Sequence, residues 1–127
     1  MRLQDLSNTL KQAHQTQQIG EAVSFRAHLQ LSNATSEVDQ SIAAIMSLAG
    51  VCFDIDEIES ATQSSHKGRQ TTMLGTTKAG RSVMITVGAG SAKIAQFHLL
   101  VLGNHGSIEL DGGHLFDESA WLASLAT

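Results

Sequence analysis

The chain has 127 residues and a mass of 13.5 kDa, the size of one domain that can bury a hydrophobic core. Its residues are 42% hydrophobic and 16% charged, which excludes an intrinsically disordered protein, since such chains are poor in apolar residues and rich in charge. A net charge of −4, 4% aromatic residues and apolar runs shorter than the roughly 20 residues that cross a bilayer argue against a nucleic-acid or membrane partner.

The first part of the chain predicts a short helix followed by a long strand. Apolar residues recur at helical spacing over residues 2–14, which is typical of an amphipathic helix. From Ile19 to Leu31 the period changes to two, which predicts a half-buried strand. Its apolar face is expected to carry Val23, Phe25, Ala27, Leu29 and Leu31, and its polar face Ser24, Arg26, His28 and Gln30.

A second helix is predicted from Ser36 to Gly50. Ser36 with Asp39 three residues later resembles a capping box. Apolar residues follow at i, i+4, i+7, i+8 and i+11 from Val38. Gly50 stands where a left-handed residue commonly ends a helix.

The rest of the chain is predicted to form strands joined by tight turns. Strand-like composition predicts strands within 51–56, 69–77, 83–87, 93–102 and 108–110. Glycine-containing turns are predicted between them at 78–80, 88–90, 103–106 and 111–113. Asp117 is predicted to cap a last short helix that carries Trp121.

This order of elements predicts an α+β domain over residues 1–127. We expect a mostly antiparallel, open-faced sheet with helices packed on one face. On the other face, Met84 is apolar, and so is one side of the 93–102 strand, which has Ile94, Leu100 and Leu102 on one side and Phe97, Leu99 and Val101 on the other. Such a surface is typical of a subunit contact, so we expect a homo-oligomer, a dimer, formed through this sheet face.

Three stretches of the chain together resemble parts of one known domain. Residues 17–31 (QQIGEAVSFRAHLQL) contain a Gly-Glu pair followed by a long strand, and residues 100–116 (LVLGNHGSIELDGGHLF) contain a Gly-x-x-Gly-x-Ile-x-Leu-Asp hairpin. Between them lies the predicted helix that ends in Leu48-Ala49-Gly50. In this order they resemble the C-terminal domain of the glucose–fructose oxidoreductase / inositol dehydrogenase / rhizopine catabolism (Gfo/Idh/MocA) family, over roughly residues 10–116.

The resemblance implies a substrate-side domain whose open sheet face forms an oligomer contact, next to a Rossmann domain that binds NAD(P). These 127 residues contain no Gly-x-Gly-x-x-Gly between a strand and a helix, and no proline for the family's Glu-Lys-Pro motif. The helix positions that the family fills with Asp, His and Asp fall at Ser36, Gln40 and Ala43. The resemblance therefore implies no catalytic residue, cofactor or metal ligand within these residues, and no activity of this chain alone.

Four residues are candidates for a ligand site or an interface. His28 and His98 lie on predicted strands and could face each other across the sheet, as a metal or catalytic pair or as polar interface positions. Arg26 shares the polar strand face of His28, and Gln40 occupies the position of the family's histidine.

Two further features have a chemical and a plain interpretation. Cys52 would need a nearby base and a lowered pKa to be a nucleophile, and its predicted strand position favours an inert thiol. Asp54, Asp56, Glu57 and Glu59 could chelate a cation or form a solvated strand face.

Three functional hypotheses follow. The first is a non-catalytic accessory module of the Gfo/Idh/MocA C-terminal type. The second is a subunit or fragment of a working oxidoreductase, whose Rossmann domain is on another chain or elsewhere. The third is a small-molecule binder or enzyme that uses His28 and His98. We expect a cytoplasmic location, because one cysteine cannot form an internal disulfide and the first residues are polar, unlike a signal peptide.

Overall fold

In the described part of the chain, three helices and six strands follow one another in the order helix, strand, helix, five strands, helix. The computed structural model describes residues 3–16, 18–32, 37–65, 68–90, 95–111 and 117–125. The elements are α1 (Leu3–Gln15), β1 (Ala22–Leu31), α2 (Val38–Cys52), β2 (Glu57–Ser65), β3 (Gly68–Thr76), β4 (Ser82–Ala89), β5 (Gln96–Gly103), β6 (Ser107–Asp111) and α3 (Glu118–Leu125). The predicted α+β class is confirmed.

The strands form one sheet in the order β2-β3-β4-β1-β5-β6. Strand β1 is parallel to β4 and antiparallel to β5, and the other neighbouring pairs are antiparallel. The predicted, mostly antiparallel sheet is therefore confirmed. Tight turns could not indicate the parallel pairing of β1 with β4, because β1 reaches β4 through α2 and two further strands.

The hydrophobic core lies between one face of the sheet and the helices. Inward positions of the central strands are fully buried, as Phe25 and Leu29 on β1 illustrate. Helix α2 packs on β4, β3 and β1, while α1 and α3 pack against α2. At the centre, Trp121 of α3 is fully buried, and its Nε1 donates a hydrogen bond of 3.1 Å to Ser41 Oγ on α2. Its ring centroid lies 5.9 Å from that of Phe97 on β5.

The end of α2 differs from the prediction. Gly50 lies inside the helix, which continues to Cys52, and the chain becomes extended only at Phe53 (φ −135°). The strand predicted at 51–56 is wrong: Val51 and Cys52 form the last helical turn, and residues 53–56 are an extended link. Three alternating apolar residues fit a strand, but they also fit a helix end followed by a link that packs on the core. The pattern therefore could not distinguish these two structures. The strand itself starts at Glu57.

Two strand details also differ from the prediction. The pairing of β1 with β5 shifts register between Ala22 and Ser24, so Ala22 is buried and Val23, expected on the apolar face, is half-buried. The turn predicted at 88–90 begins only at Gly90, because Gly88 and Ala89 pair with the end of β1.

Other sequence predictions agree with the structure or fall outside it. Asp117 caps α3 as predicted, since its Oδ1 accepts a hydrogen bond of 3.0 Å from the Ala120 amide. The predicted cap Ser36, the apolar position Ile94 and the Gly112-Gly113 part of one turn lie outside the described residues.

Candidate functional site

One face of the sheet lies opposite the helix layer, and we call it the open face. Its residues alternate along each strand with the buried ones. Among the described side chains it includes Ser24, Arg26, His28 and Gln30 of β1, Leu74 of β3, Met84 and Thr86 of β4, Gln96, His98, Leu100 and Leu102 of β5, and Glu109 and Asp111 of β6.

Two histidines lie side by side near the middle of the open face. His28 on β1 is directly opposite His98 on β5. Along the same row, Thr86 flanks His28 and Asp111 flanks His98. The Nε2 atom of His98 lies 3.1 Å from Oε1 of Glu109, which is on the neighbouring strand β6. The sheet register therefore brings together the two histidines that the sequence singled out.

Arg26 lies in the adjacent row of the open face, between apolar neighbours. It is opposite Met84 of β4 on one side and Leu100 of β5 on the other. Read across all six strands, this row is Glu59, Leu74, Met84, Arg26, Leu100 and Glu109. Acidic residues thus stand at both edges of a row whose inner positions are apolar except for one arginine.

Gln40 is separated from the other three candidate residues. It is exposed on α2, and α2 packs on the covered face of the sheet. Arg26, His28 and His98 lie on the opposite face, so the whole sheet stands between them and Gln40. The structure brings together three of the four predicted site residues and excludes Gln40 from that group.

A cleft of about 500 Å³ lies at the end of the sheet where β1 begins. Its walls are the link 52–56 after α2, the turn 77–81 between β3 and β4, and the start of β1 at Glu21 and Ala22. Nη2 of Arg81 lies 3.4 Å from Oε1 of Glu21, while its buried Nε has no hydrogen-bond partner among the described residues. Sequence reasoning missed this cleft, because it joins three loops that are distant along the chain.

Cys52 and the acidic residues do not form a reactive centre in the described part of the chain. Cys52 lines the cleft, and burial raises the pKa of its thiol, so the unreactive protonated form is favoured at neutral pH. Asp54 and Asp56 are exposed. Within the described ranges, His, Cys, Asp and Glu residues nowhere form a group of three or more that could hold a metal ion.

The arrangement of helices and sheet matches the fold of known dehydrogenases. It is similar to scyllo-inositol dehydrogenase from Lactobacillus casei, solved with NAD(H) and scyllo-inositol bound, at 11% identity and a TM-score of 0.63 over 84% of this chain and 38% of that one. It is similar to an oxidoreductase domain protein from Kribbella flavida at 13% identity and a TM-score of 0.61, over 90% of this chain and 41% of that one. This chain has the fold of the C-terminal domain of Gfo/Idh/MocA oxidoreductases.

The likeness to that C-terminal domain is one of fold, and it covers less than half of each solved chain. The sequence matches no protein-family model and no curated protein. None of the described helices is both long enough and apolar enough to cross a membrane.

The sequence resemblance assigned the family's Asp, His and Asp positions to Ser36, Gln40 and Ala43 of this chain. Of the three positions that the resemblance assigned, Gln40 and Ala43 are exposed on α2, and Ser36 lies outside the described residues. Neither a glutamine amide nor an alanine methyl group can act as a general base. These two positions therefore provide no general base.

Proposed function

We propose that this chain is a cytoplasmic, non-catalytic accessory module of the Gfo/Idh/MocA C-terminal type that forms a homodimer through its open face. The observation that carries the proposal is an apolar patch on that face, formed by Leu74, Met84, Leu100 and Leu102. The exposed fractions are 47% for Leu74 and 42% for Leu102. Apolar side chains grouped on one face favour contact with another protein surface over contact with water.

The size of the open face supports a second copy of the chain as the occupant. Six strands about 4.8 Å apart, averaging about eight residues each with a rise of about 3.3 Å, give a flat footprint of about 650 Å². Side-chain relief adds to this area. A standard interface buries about 800 Å² of accessible surface on each partner, so one face of this sheet approaches the area that a stable dimer needs.

The distribution of charge on the open face also supports an interface. Stable interfaces have an apolar centre and a polar rim, and arginine is enriched in them while glutamate is depleted. Here the acidic residues Glu59 and Glu109 lie on the edge strands, and Arg26 lies among the apolar positions.

The second candidate function is part of a working oxidoreductase with the nucleotide-binding domain elsewhere. The observation that favours it is that this chain spans 38% and 41% of the two solved proteins described above. Co-purification of a Rossmann-domain protein with the tagged chain, together with gained NAD(H) binding, would support this alternative over a separate accessory module.

Sedimentation equilibrium tests the proposed homodimer. We expect the wild-type chain to be a dimer at about 0.1 mM, and Leu74→Glu and Leu102→Glu to weaken dimerisation by at least about tenfold, because each buries a charge in the contact. Ile58→Glu is the matched control, since Ile58 is 55% exposed but pairs with Gly75 on the covered side of the sheet. A wild-type monomer at this concentration, with circular dichroism showing a folded chain, would contradict the proposal.

A further inference from the structure

We propose that His28 and His98 form half of a binding site for a divalent transition metal of the zinc type, which a second copy of the chain completes across the open face. This inference rests on the proposed homodimer and adds a ligand to it. Within the described part of one chain, no three metal-ligating side chains converge. One copy of the chain therefore provides two imidazole ligands at this position.

The geometry of the pair suits a shared metal ion. His28 and His98 are direct partners on antiparallel strands, and the Cβ atoms of such partners lie about 4.5–5.5 Å apart on the same face. Two imidazoles at this separation can direct one nitrogen each toward a common point about 2.0–2.1 Å away, the usual zinc–nitrogen distance. Neutral imidazole is a ligand that suits zinc, copper and nickel.

The carboxylate beside the pair adds a feature found around histidine ligands. Glu109 Oε1 lies 3.1 Å from His98 Nε2. Metal-bound histidines commonly donate their second ring N–H to a carboxylate, which fixes the ring and makes it a better ligand. The hydrogen bond to Glu109 uses Nε2 and leaves Nδ1 of His98 for the metal.

The charges around the pair are compatible with a cation. Glu109 and Asp111 lie on the adjacent strand β6, and Asp111 is directly opposite His98. Arg26 lies two residues from His28 on the same strand face, and its positive charge partly offsets the charge of these two carboxylates. Two carboxylates against one guanidinium leave the local charge negative.

A second copy supplies the missing ligands by symmetry. In a face-to-face dimer, the two-fold axis lies between the two sheets, and an axis that passes over the histidine pair brings the partner's equivalent pair to the same ion. Four imidazoles then form a closed tetrahedral site, the geometry that zinc adopts when no position is left open. The expected stoichiometry is one metal ion per two chains.

The experiment measures dimerisation with and without metal. Sedimentation equilibrium is carried out with EDTA and then with ZnCl₂, and isothermal titration calorimetry with ZnCl₂ gives the stoichiometry. We expect zinc to tighten the wild-type dimer by at least about tenfold. His28→Ala and His98→Ala should still dimerise but lose the effect of zinc. His105→Ala is the matched control, since His105 is an exposed histidine in the β5–β6 turn, away from the pair, and it should respond to zinc as the wild type does.

Three outcomes separate this inference from the proposed dimer. A wild-type dimer that zinc does not tighten overturns the metal site and leaves the dimer standing. Zinc-dependent tightening that survives in both histidine variants also overturns the site, because other histidines then bind the ion. A wild-type chain that stays monomeric with and without zinc overturns both proposals.

Discussion

At the scale of single residues, the sequence predicts polarity and pairing better than chemical role. Alternation along β1 placed Arg26 and His28 on one face, and the register with β5 brings His98 beside them. Gln40 was grouped with them through a resemblance between sequences, which contains no information about the side of the sheet. A residue's place on a strand face follows from period-two geometry, whereas its distance from residues on a helix depends on how the layers pack.

The prediction at the scale of single residues concerns the reactivity of the Cys52 thiol. Burial raises the pKa of its thiol, so the folded state prefers the protonated form. The buried, protonated thiol contributes stability that is fully present below the thiol pKa of the unfolded chain. This stability is lost as pH rises through the higher thiol pKa of the folded chain. We expect alkylation by iodoacetamide to be slower at pH 8 in the folded chain than in urea, with its pH midpoint displaced upward.

The alkylation rate has a built-in control, because the same thiol is measured in the same chain with and without urea. Cys52→Ala should in addition remove the part of the alkaline stability loss that belongs to this thiol. A folded-state rate above the urea rate at pH 8 would show an activated thiol and restore the nucleophile interpretation.

At the scale of secondary structure, patterns predicted the elements and left some of their ends wrong. Helix α2 was recognised from its apolar spacing, but its end was assigned to Gly50 because glycine so often follows a helix. In the structure the Phe53 amide still donates to the Ala49 carbonyl, so the helix runs past the glycine. A glycine favours a left-handed end without requiring one, and the packing of Phe53, only 8% exposed, decides where the chain turns.

Two glycine substitutions compare a helical position with a left-handed one, and the first of them tests where α2 ends. A Cβ at Gly50 would meet nothing within 4 Å, so Gly50→Ala should raise the free energy of unfolding by about 0.5–1 kcal/mol, because alanine is the better helix former. Gly20 has φ +73°, and a Cβ there would overlap the Asn104 and His105 side chains. Gly20→Ala should lower the free energy of unfolding by more than about 1 kcal/mol.

Urea unfolding of both glycine variants beside the wild type measures these changes. Gly20→Ala is the contrast, because it shows the penalty of a true left-handed position in the same chain. If Gly50→Ala destabilises the protein in the same way, the helix ends at Gly50 as the sequence pattern indicated, and the structural assignment is wrong.

At the scale of the whole molecule, the sheet order was the part that no local pattern contained. Strand β1 pairs with β4 and β5, whose partner residues follow more than 50 positions later. Short turns report only on neighbours such as β3–β4 and β5–β6. The resemblance to a known domain placed the helices and the open face, and the structural comparisons agree with it at the level of fold.

This topology makes the integrity of the sheet depend on nearly the whole chain, and the single tryptophan reports on it. Trp121 packs on Phe97 of β5 and donates to Ser41 of α2, so its environment requires α3, α2 and β5 together. We expect urea unfolding followed by Trp121 fluorescence and by far-ultraviolet circular dichroism to give coincident midpoints, as in a two-state transition.

The Leu74→Glu variant is the appropriate protein, since dimerisation would otherwise make the midpoint depend on concentration. An earlier fluorescence midpoint would mean that α3 leaves the core while the sheet persists, so that the helix layer and the sheet would be separate cooperative units.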